Sequence, residues 1–216
     1  MTPMFSVIMP SYLGSYNGAA SGREEKFIRA VESVIDQTFK DWELIVVADG
    51  CERTLDLLNE HIGDRRVRPF LIEKTELWCP GPRNTGIHHA RGKWIAYLDT
   101  DDLLGPGHLS SIAAKLTDQM QWAYFDALWW NKKAGSFQPK PVEINRCSHH
   151  GTANIVHRNN GYLWPTQRRN RDGRLDYGTQ DCAFVDVLKQ QPGQKIHAGE
   201  YHICHIPSRV AGAYEI

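Results

Sequence analysis

The chain has 216 residues, 41% of them hydrophobic, and balances 25 Lys plus Arg against 25 Asp plus Glu. That is the composition of one globular domain with a core of its own; it excludes a disordered chain and lacks the basic excess of a dedicated nucleic-acid binder. Its cysteines (Cys51, Cys79, Cys147, Cys182 and Cys204) are odd in number and widely spaced without C-x-x-C, which argues against a disulfide framework or zinc knuckle and for a reducing cytosol.

The N-terminus, MTPMFSVIMP, has neither a basic flank nor a long apolar stretch, so no signal peptide is read. No run approaches the length of a membrane span, and any membrane contact is expected to be peripheral. Residues 5–9 (FSVIM) form a short apolar run, predicted as a buried strand. Residues 24–37 place Phe27, Ala30, Val31, Val34 and Ile35 at helical spacing. Residues 44–48 (LIVVA) predict a second buried strand ending at Asp49-Gly50, and a helix over 53–61 follows. A third strand is expected over 67–72, a helix over 83–90, a fourth strand over 94–98 (WIAYL) and a helix over 107–116. Strands apolar on both faces that alternate with helices imply a mostly parallel sheet covered on both sides. Such sheets bind ligands beyond the carboxyl ends of their strands. Those ends here are Pro10-Ser11-Tyr12, Asp49-Gly50 and Asp99-Thr100-Asp101-Asp102, all polar, turn-forming or acidic.

The second half is less regular. One strand is expected over 121–130, a hairpin between 139–145 and 152–157, a helix over 178–190, and one or two late strands within 195–206. The chain is expected to form a single domain, with a regular half over 1–118 and a smaller, less regular half over 119–216.

Asp99, Asp101 and Asp102 crowd onto one turn. At ~4 Å, like charges repel by about 4 kcal/mol at an effective dielectric of 20. A cation relieves that cost, and hard oxygen ligands on a tight turn suit Mg2+ or Mn2+. The alternative is a solvated turn with Asp102 capping the next helix; the position after a buried strand favours the metal.

The series SVIMPSY, WELIVVADG and RNTGIHHARGKWIAYLDTDD resembles glycosyltransferase family 2, whose members read S-V-I-I-P-T-Y-N, V-D-D-G-S and R-N-x-G…A-x-G-x-Y-I-x-F-L-D-x-D-D. The resemblance covers residues 4–118 well and is fainter beyond. It implies a GT-A fold: an α/β, Rossmann-like, mostly parallel central sheet flanked by helices. By position it assigns Pro10, Ser11 and Tyr12 to the nucleotide base, Asp49 to base reading, Arg83 to the neighbourhood of the nucleotide, Asp101 to the ribose and Asp102 to a metal bridging the diphosphate. Two departures stand out: Ala48 replaces the first acid of V-D-D-G and Cys51 replaces the usual Ser. The segment LGSYNGAASGREE is longer than the usual link, and reads as a surface loop or a flap beside the donor.

Asp181 shares a helical face with Phe184, Val185 and Leu188. On the residues alone it suits the first turn of a helix through the macrodipole. The resemblance makes it the base that deprotonates the acceptor, with Gln180 standing where Glu is usual. The implied reaction is a metal-dependent, inverting transfer of a hexosyl group from a UDP-sugar, with GDP-sugar as the second choice, to a sugar or glycolipid hydroxyl. The setting implied is surface-glycan assembly, in the cytoplasm or peripherally at the inner membrane face. Near the C-terminus, His202 or His205 could reach the metal, and a plain strand histidine is the alternative. His149-His150 could border the acceptor, the basic run 167–174 could clamp the diphosphate, and Trp129, Trp130 and Trp164 could stack on sugar rings or fill the core. The rival readings are a sugar-phosphate nucleotidyltransferase, against which the absence of an early Lys or Arg after the first strand counts, and a non-catalytic sugar-nucleotide binder, which Gln180 keeps open.

Overall fold

The computed structural model describes residues 2–16, 19, 21–76, 79–131, 134, 136–146, 151–166, 180–196 and 203–205. The first half builds β1 (Phe5–Ser11), α1 (Arg23–Ile35), β2 (Trp42–Asp49), α2 (Glu52–His61), β3 (Val67–Ile72), α3 (Pro80–His89), β4 (Trp94–Tyr97), the two-residue β5 (Leu103–Leu104) and α4 (His108–Ala113). The second half adds β6 (Trp122–Tyr124), β7 (Ala127–Asn131), β8 (Ser136–Lys140), a 3-10 turn at Thr152–Asn154, β9 (Ile155–Arg158), α5 (Gln180–Leu188), β10 (Gly193–Lys195) and β11 (Ile203–His205).

A seven-stranded sheet runs in the order β10-β6-β9-β4-β1-β2-β3. β1 pairs in parallel with β2 and β4, and β2 in parallel with β3, while β9 runs antiparallel between β4 and β6. Every residue of β1, β2 and β4 is buried, because helices cover both faces. Phe5, Val7 and Met9 point into one layer with Phe27, Val31 and Val34 of α1, Leu57 and Leu58 of α2, and Leu109 and Ile112 of α4. Ile8 points the other way, into a layer with Ile87 of α3 and Phe184, Val185 and Leu188 of α5. Pro10 fits a central strand because the Ile8 carbonyl accepts from Leu98 on the β4 side. By alternation, the N–H that proline lacks would face that same side, where β4 has ended. On the second face α3 lies directly on β1: a Cβ at Gly86 would stand 2.5 Å from Ile8 Cγ2.

A four-stranded sheet, β5-β11-β7-β8, closes one end. The single strand expected over 121–130 is thus two, β6 and β7, which belong to different sheets. The expected hairpin is also corrected: β9 pairs with β4 and β6, and β8 pairs with β7. A strand whose first three residues are fully buried finds more apolar contact inside the large sheet than beside its chain neighbour. Cys182 is disulfide-bonded, which the reading of a reducing cytosol did not anticipate, whereas Cys51 and Cys79 are free. Among the described residues, no helix is long and apolar enough to cross a membrane.

Candidate active site

The carboxyl ends of β1, β2 and β4 surround a cavity of about 470 Å3. Pro10, Ser11, Tyr12, Asp49 and Asp101, all expected from the sequence, line it, together with Asp99. The Ser11 hydroxyl is committed to Thr54 on α2 at 2.9 Å, which ties the end of β1 to the next layer. Asp49, its side chain 4% exposed, pairs with Lys74 Nζ at 2.5 Å through Oδ2, and its Oδ1 accepts the Thr75 N–H at 2.7 Å. Tyr12 lies under the Lys74 ammonium, 4.4 Å from its ring centroid. Arg23 donates to the carbonyls of Tyr12 and Gly14 and covers the Tyr16 ring, so the described part of the long loop is anchored beside the cavity.

The acidic turn follows β4. The Asp102 N–H donates to the Asp99 carbonyl at 3.2 Å, which tightens the turn and crowds the carboxylates. Burial, then the charges of Asp102 and Asp99, push the Asp101 carboxyl up to about 7. Asp102 itself is 5% exposed. Hard carboxylate oxygens that oppose one another's ionisation form a donor set suited to a hard divalent cation. Among the described residues, no three His, Cys, Asp or Glu side chains gather closely enough to hold an ion alone. β11 runs antiparallel to β5 with Cys204 opposite Leu103 and Ile203 opposite Leu104; extending that register by one position sets His205 across from Asp102.

Arg83, on α3, joins this turn to the second half. Its guanidinium is buried, donates to Asp99 Oδ1 at 2.9 Å and lies 3.6 Å from Asp181 Oδ1. Burial works against its charge, but Asp99, Cys79 and Asp181 outweigh burial and raise its pKa. Asp181 opens α5 and also accepts the Thr152 hydroxyl at 2.7 Å. The Trp164 ring carries the Arg83 guanidinium 4.5 Å from its centroid on one side and stacks on Phe184 at 4.1 Å. At 1% exposure it fills the core, the second of the two readings open from the sequence, and serves there as a platform for Arg83. The Trp129 ring likewise carries a cation, Lys140 Nζ, 3.2 Å from its centroid.

Under that platform runs a buried polar chain. Trp164 Nε1 donates to Tyr97 Oη at 3.1 Å, and Tyr97 Oη meets His157 Nε2 at 2.7 Å. A carbonyl only accepts, so His157 Nδ1 donates to the Arg158 carbonyl at 2.8 Å, and Nε2 of the neutral ring accepts from the tyrosine hydroxyl. Burial pushes the imidazole down to about 4, which keeps it neutral in this chain of bonds. The basic run 167–174, His149, His150 and His202, and the side chains of Trp130 and His205 lie outside what is described.

Sequence reasoning missed Lys74 and Thr75 at the cavity and Asn84 and Thr152 beside the Arg83–Asp181 pair, and it did not single out Tyr16 and Arg23 within the long loop. Lys74 and Thr75 had a signal: they follow β3, whose carboxyl end lies on the same edge as those of β1, β2 and β4. Asn84 and Thr152 are tied in only by long-range bonds, to Trp164 and Asp181.

Residues 6–186 match the model of Glycosyl transferase family 2, and the chain belongs to that family. It is 28% identical over 147 residues to an Escherichia coli protein named UDP-Glc:alpha-D-GlcNAc-diphosphoundecaprenol beta-1,3-glucosyltransferase WfgD, spanning 66% of this chain and 54% of that one. The structure superposes on S. aureus TarS 1-349 in complex with UDP with a TM-score of 0.70 at 18% identity, covering 93% of this chain and 60% of that chain. It also superposes on the mannosyltransferase PcManGT from Pyrobaculum calidifontis in complex with GDP-Man and Mn2+, with a TM-score of 0.59 at 13% identity, covering 91% and 55%. The fold is thus the GT-A type expected. The chain spans about half the length of that curated relative.

Proposed function

We propose that this chain is a metal-dependent, inverting glycosyltransferase that moves a sugar from a nucleotide-sugar to a hydroxyl acceptor. The observation that carries the reading is Arg83, which brings Asp99 of the acidic turn and Asp181 of α5 to one guanidinium. A leaving-group site and a base thereby face one cleft. Pro10, Tyr12 and Asp49 would hold the base and Asp101 the ribose. Asp102, with His205 across the extended ladder, would hold Mn2+ or Mg2+, which supplies charge neutralisation to the departing diphosphate. Asp181, oriented by the Thr152 hydroxyl, takes the acceptor proton as that oxygen bonds to the anomeric carbon and the bond to the diphosphate breaks on the opposite face. One displacement inverts the configuration.

Likeness to a glucosyltransferase named for UDP-Glc and a diphosphoundecaprenol-linked acceptor favours a UDP-sugar donor and a lipid-linked glycan acceptor. A GDP-sugar is the second choice. With such an acceptor the protein would work in surface-polysaccharide or glycoconjugate synthesis, peripherally at the cytoplasmic membrane face. A thermal-shift panel of UDP, GDP, dTDP and CMP, with and without Mn2+, tests this. Ligand at 100 times its Kd adds about 2.7 kcal/mol, roughly 5–11 °C for a chain of this size. One nucleotide should stabilise the wild type only with metal, and Asp102→Ala should abolish the shift. No shift from any nucleotide with Mn2+ present would sink the reading.

A further inference from the structure

The first turn of α5 carries a carboxylate on one residue and a covalent tether on the next. Asp181 lies in that turn, and Cys182, 4% exposed, is disulfide-bonded. Cys51 and Cys79 are free, so the partner of Cys182 is Cys147 or Cys204. Each of these is near in sequence to a residue already placed at the site. Cys147 comes five residues before Thr152, whose hydroxyl donates to Asp181 Oδ1 at 2.7 Å, and Cys204 adjoins His205. Either pairing joins the helix of Asp181 to a second segment of the site.

The other holds on Asp181 are non-covalent and gather on one oxygen: the Thr152 hydroxyl and the Arg83 guanidinium, the latter at 3.6 Å, both face Oδ1. Further along α5, Phe184, Val185 and Leu188 anchor the helix in the layer with Ile8 and Ile87. A helix packed through its later turns still frays at its first, where backbone N–H groups have no intrahelical partner. The disulfide sits where fraying would begin and where it would swing Asp181 out of the cleft.

We propose that the Cys182 disulfide is a positioning device for the Asp181 base, so that turnover depends on its thiol–disulfide state. This rests on Asp181 being the base. A dithiol opens the bond by exchange: the reagent closes to a cyclic disulfide, and two electrons and two protons pass to Cys182 and its partner. Oxidised glutathione reverses the step and leaves two glutathione thiols. Among the described residues, none of α5 lines the cavity at the strand ends, so the change falls on proton removal and spares nucleotide binding. A reacting group displaced by about 1 Å can lose about 10²-fold in rate.

Peptide mapping without reductant comes first. Cys182 should be found linked to Cys147 or Cys204, and a free Cys182 thiol overturns the proposal. Wild type opened with dithiothreitol and freed of the reagent, and Cys182→Ala, are then compared with the oxidised wild type. Amide hydrogen exchange over residues 180–188 should quicken about tenfold or more. Mn2+-dependent release of UDP from UDP-glucose should fall by about 10–100-fold, with the thermal shift caused by UDP unchanged. Oxidised glutathione should restore the reduced wild type and leave Cys182→Ala as it is. A bond that serves stability alone would lower turnover only in step with the folded fraction. That result, or equal exchange and equal UDP release in all forms, overturns the proposal. If no form binds UDP or releases it, the glycosyltransferase reading fails instead, and the exchange measurement alone decides whether the bond holds the turn. Should the bond resist the dithiol, Cys182→Ala decides the comparison.

Discussion

Two carboxylates at opposite ends of the central sheet, Glu43 and Asp101, sit in opposite electrostatic surroundings. At the amino end, Glu43 of β2 accepts the Ser6 hydroxyl at 2.7 Å, the Arg91 N–H at 2.6 Å and the Arg68 guanidinium at 2.6 Å. Burial pushes its pKa up, but these bonds outweigh burial and hold it below the usual range. At the carboxyl end, Asp101 faces Asp102 and Asp99, and burial and repulsion together drive its carboxyl up to about 7. One end is electrostatically closed and serves stability. The other stores repulsion that a bound cation would relieve, and strained charge of this kind gathers at functional sites.

The largest effect expected is at Asp181, the base of the proposed reaction. Asp181→Asn keeps the size of the side chain and its bond from Thr152, but cannot take a proton. Turnover should fall by about 10²–10⁴, with nucleotide binding unchanged in the thermal-shift panel. Unchanged turnover would favour another base; donor binding without turnover in the wild type would favour the non-catalytic reading. Next comes the contrast between the two ends. Glu43→Ala removes the acceptor of the Ser6 hydroxyl, the Arg91 N–H and the Arg68 guanidinium, and should cost about 3–5 kcal/mol in urea unfolding while leaving nucleotide affinity intact. Asp101→Asn should leave stability unchanged or raise it, yet weaken nucleotide binding. Equal stability losses in both variants would erase the distinction.

The strand–helix alternation of the first half was legible because its strands are short, apolar on both faces and punctuated by polar turns. Pro10, Ser11, Tyr12, Asp49 and Asp101 could be placed for the same reason: strand ends in one register meet at one edge. The Arg83–Asp181 meeting was not legible from either residue, since it depends on α3 and α5 packing on one face of the sheet. β9 was paired with the wrong partner because nearness in sequence suggests a hairpin, whereas a fully buried Ile-Val-His run is better satisfied between β4 and β6. Trp164 could be read as core or as a sugar platform, and its neighbours in sequence say nothing of Arg83 above it or Phe184 below, which decide for the core. His157, the buried anchor of that layer, carried no pattern at all.

His157 offers the next test, of about 3 kcal/mol. The unfolded chain takes up its proton near pH 6.5, the folded one near 4. Between those values the unfolded state binds more protons, so stability falls as the pH drops, and the contribution is whole only above about 6.5. Urea unfolding from pH 7 down to 4.5 should therefore show a slope that His157→Gln reduces. An identical slope in the variant would place the acid sensitivity elsewhere.

The smallest effect concerns the splice between the halves. Asn84, one residue beyond Arg83 on α3, donates to the Trp164 carbonyl at 2.9 Å and accepts the Trp164 N–H at 2.7 Å, closing a two-point clasp across 80 residues of chain. Its amide orientation is fixed because a backbone N–H can only donate and a carbonyl only accept. Asn84→Ala leaves both backbone groups without this partner and should cost about 1–3 kcal/mol. Asn84→Asp keeps the acceptor but turns a second carboxylate oxygen toward the Trp164 carbonyl, so it should be at least as costly. If the clasp serves the site by holding the platform under Arg83, both variants should lose turnover beyond what their folded fraction explains. If turnover simply tracks the folded fraction, Asn84 joins the two halves for stability alone, and the position of Arg83 is set by Asp99 and Asp181.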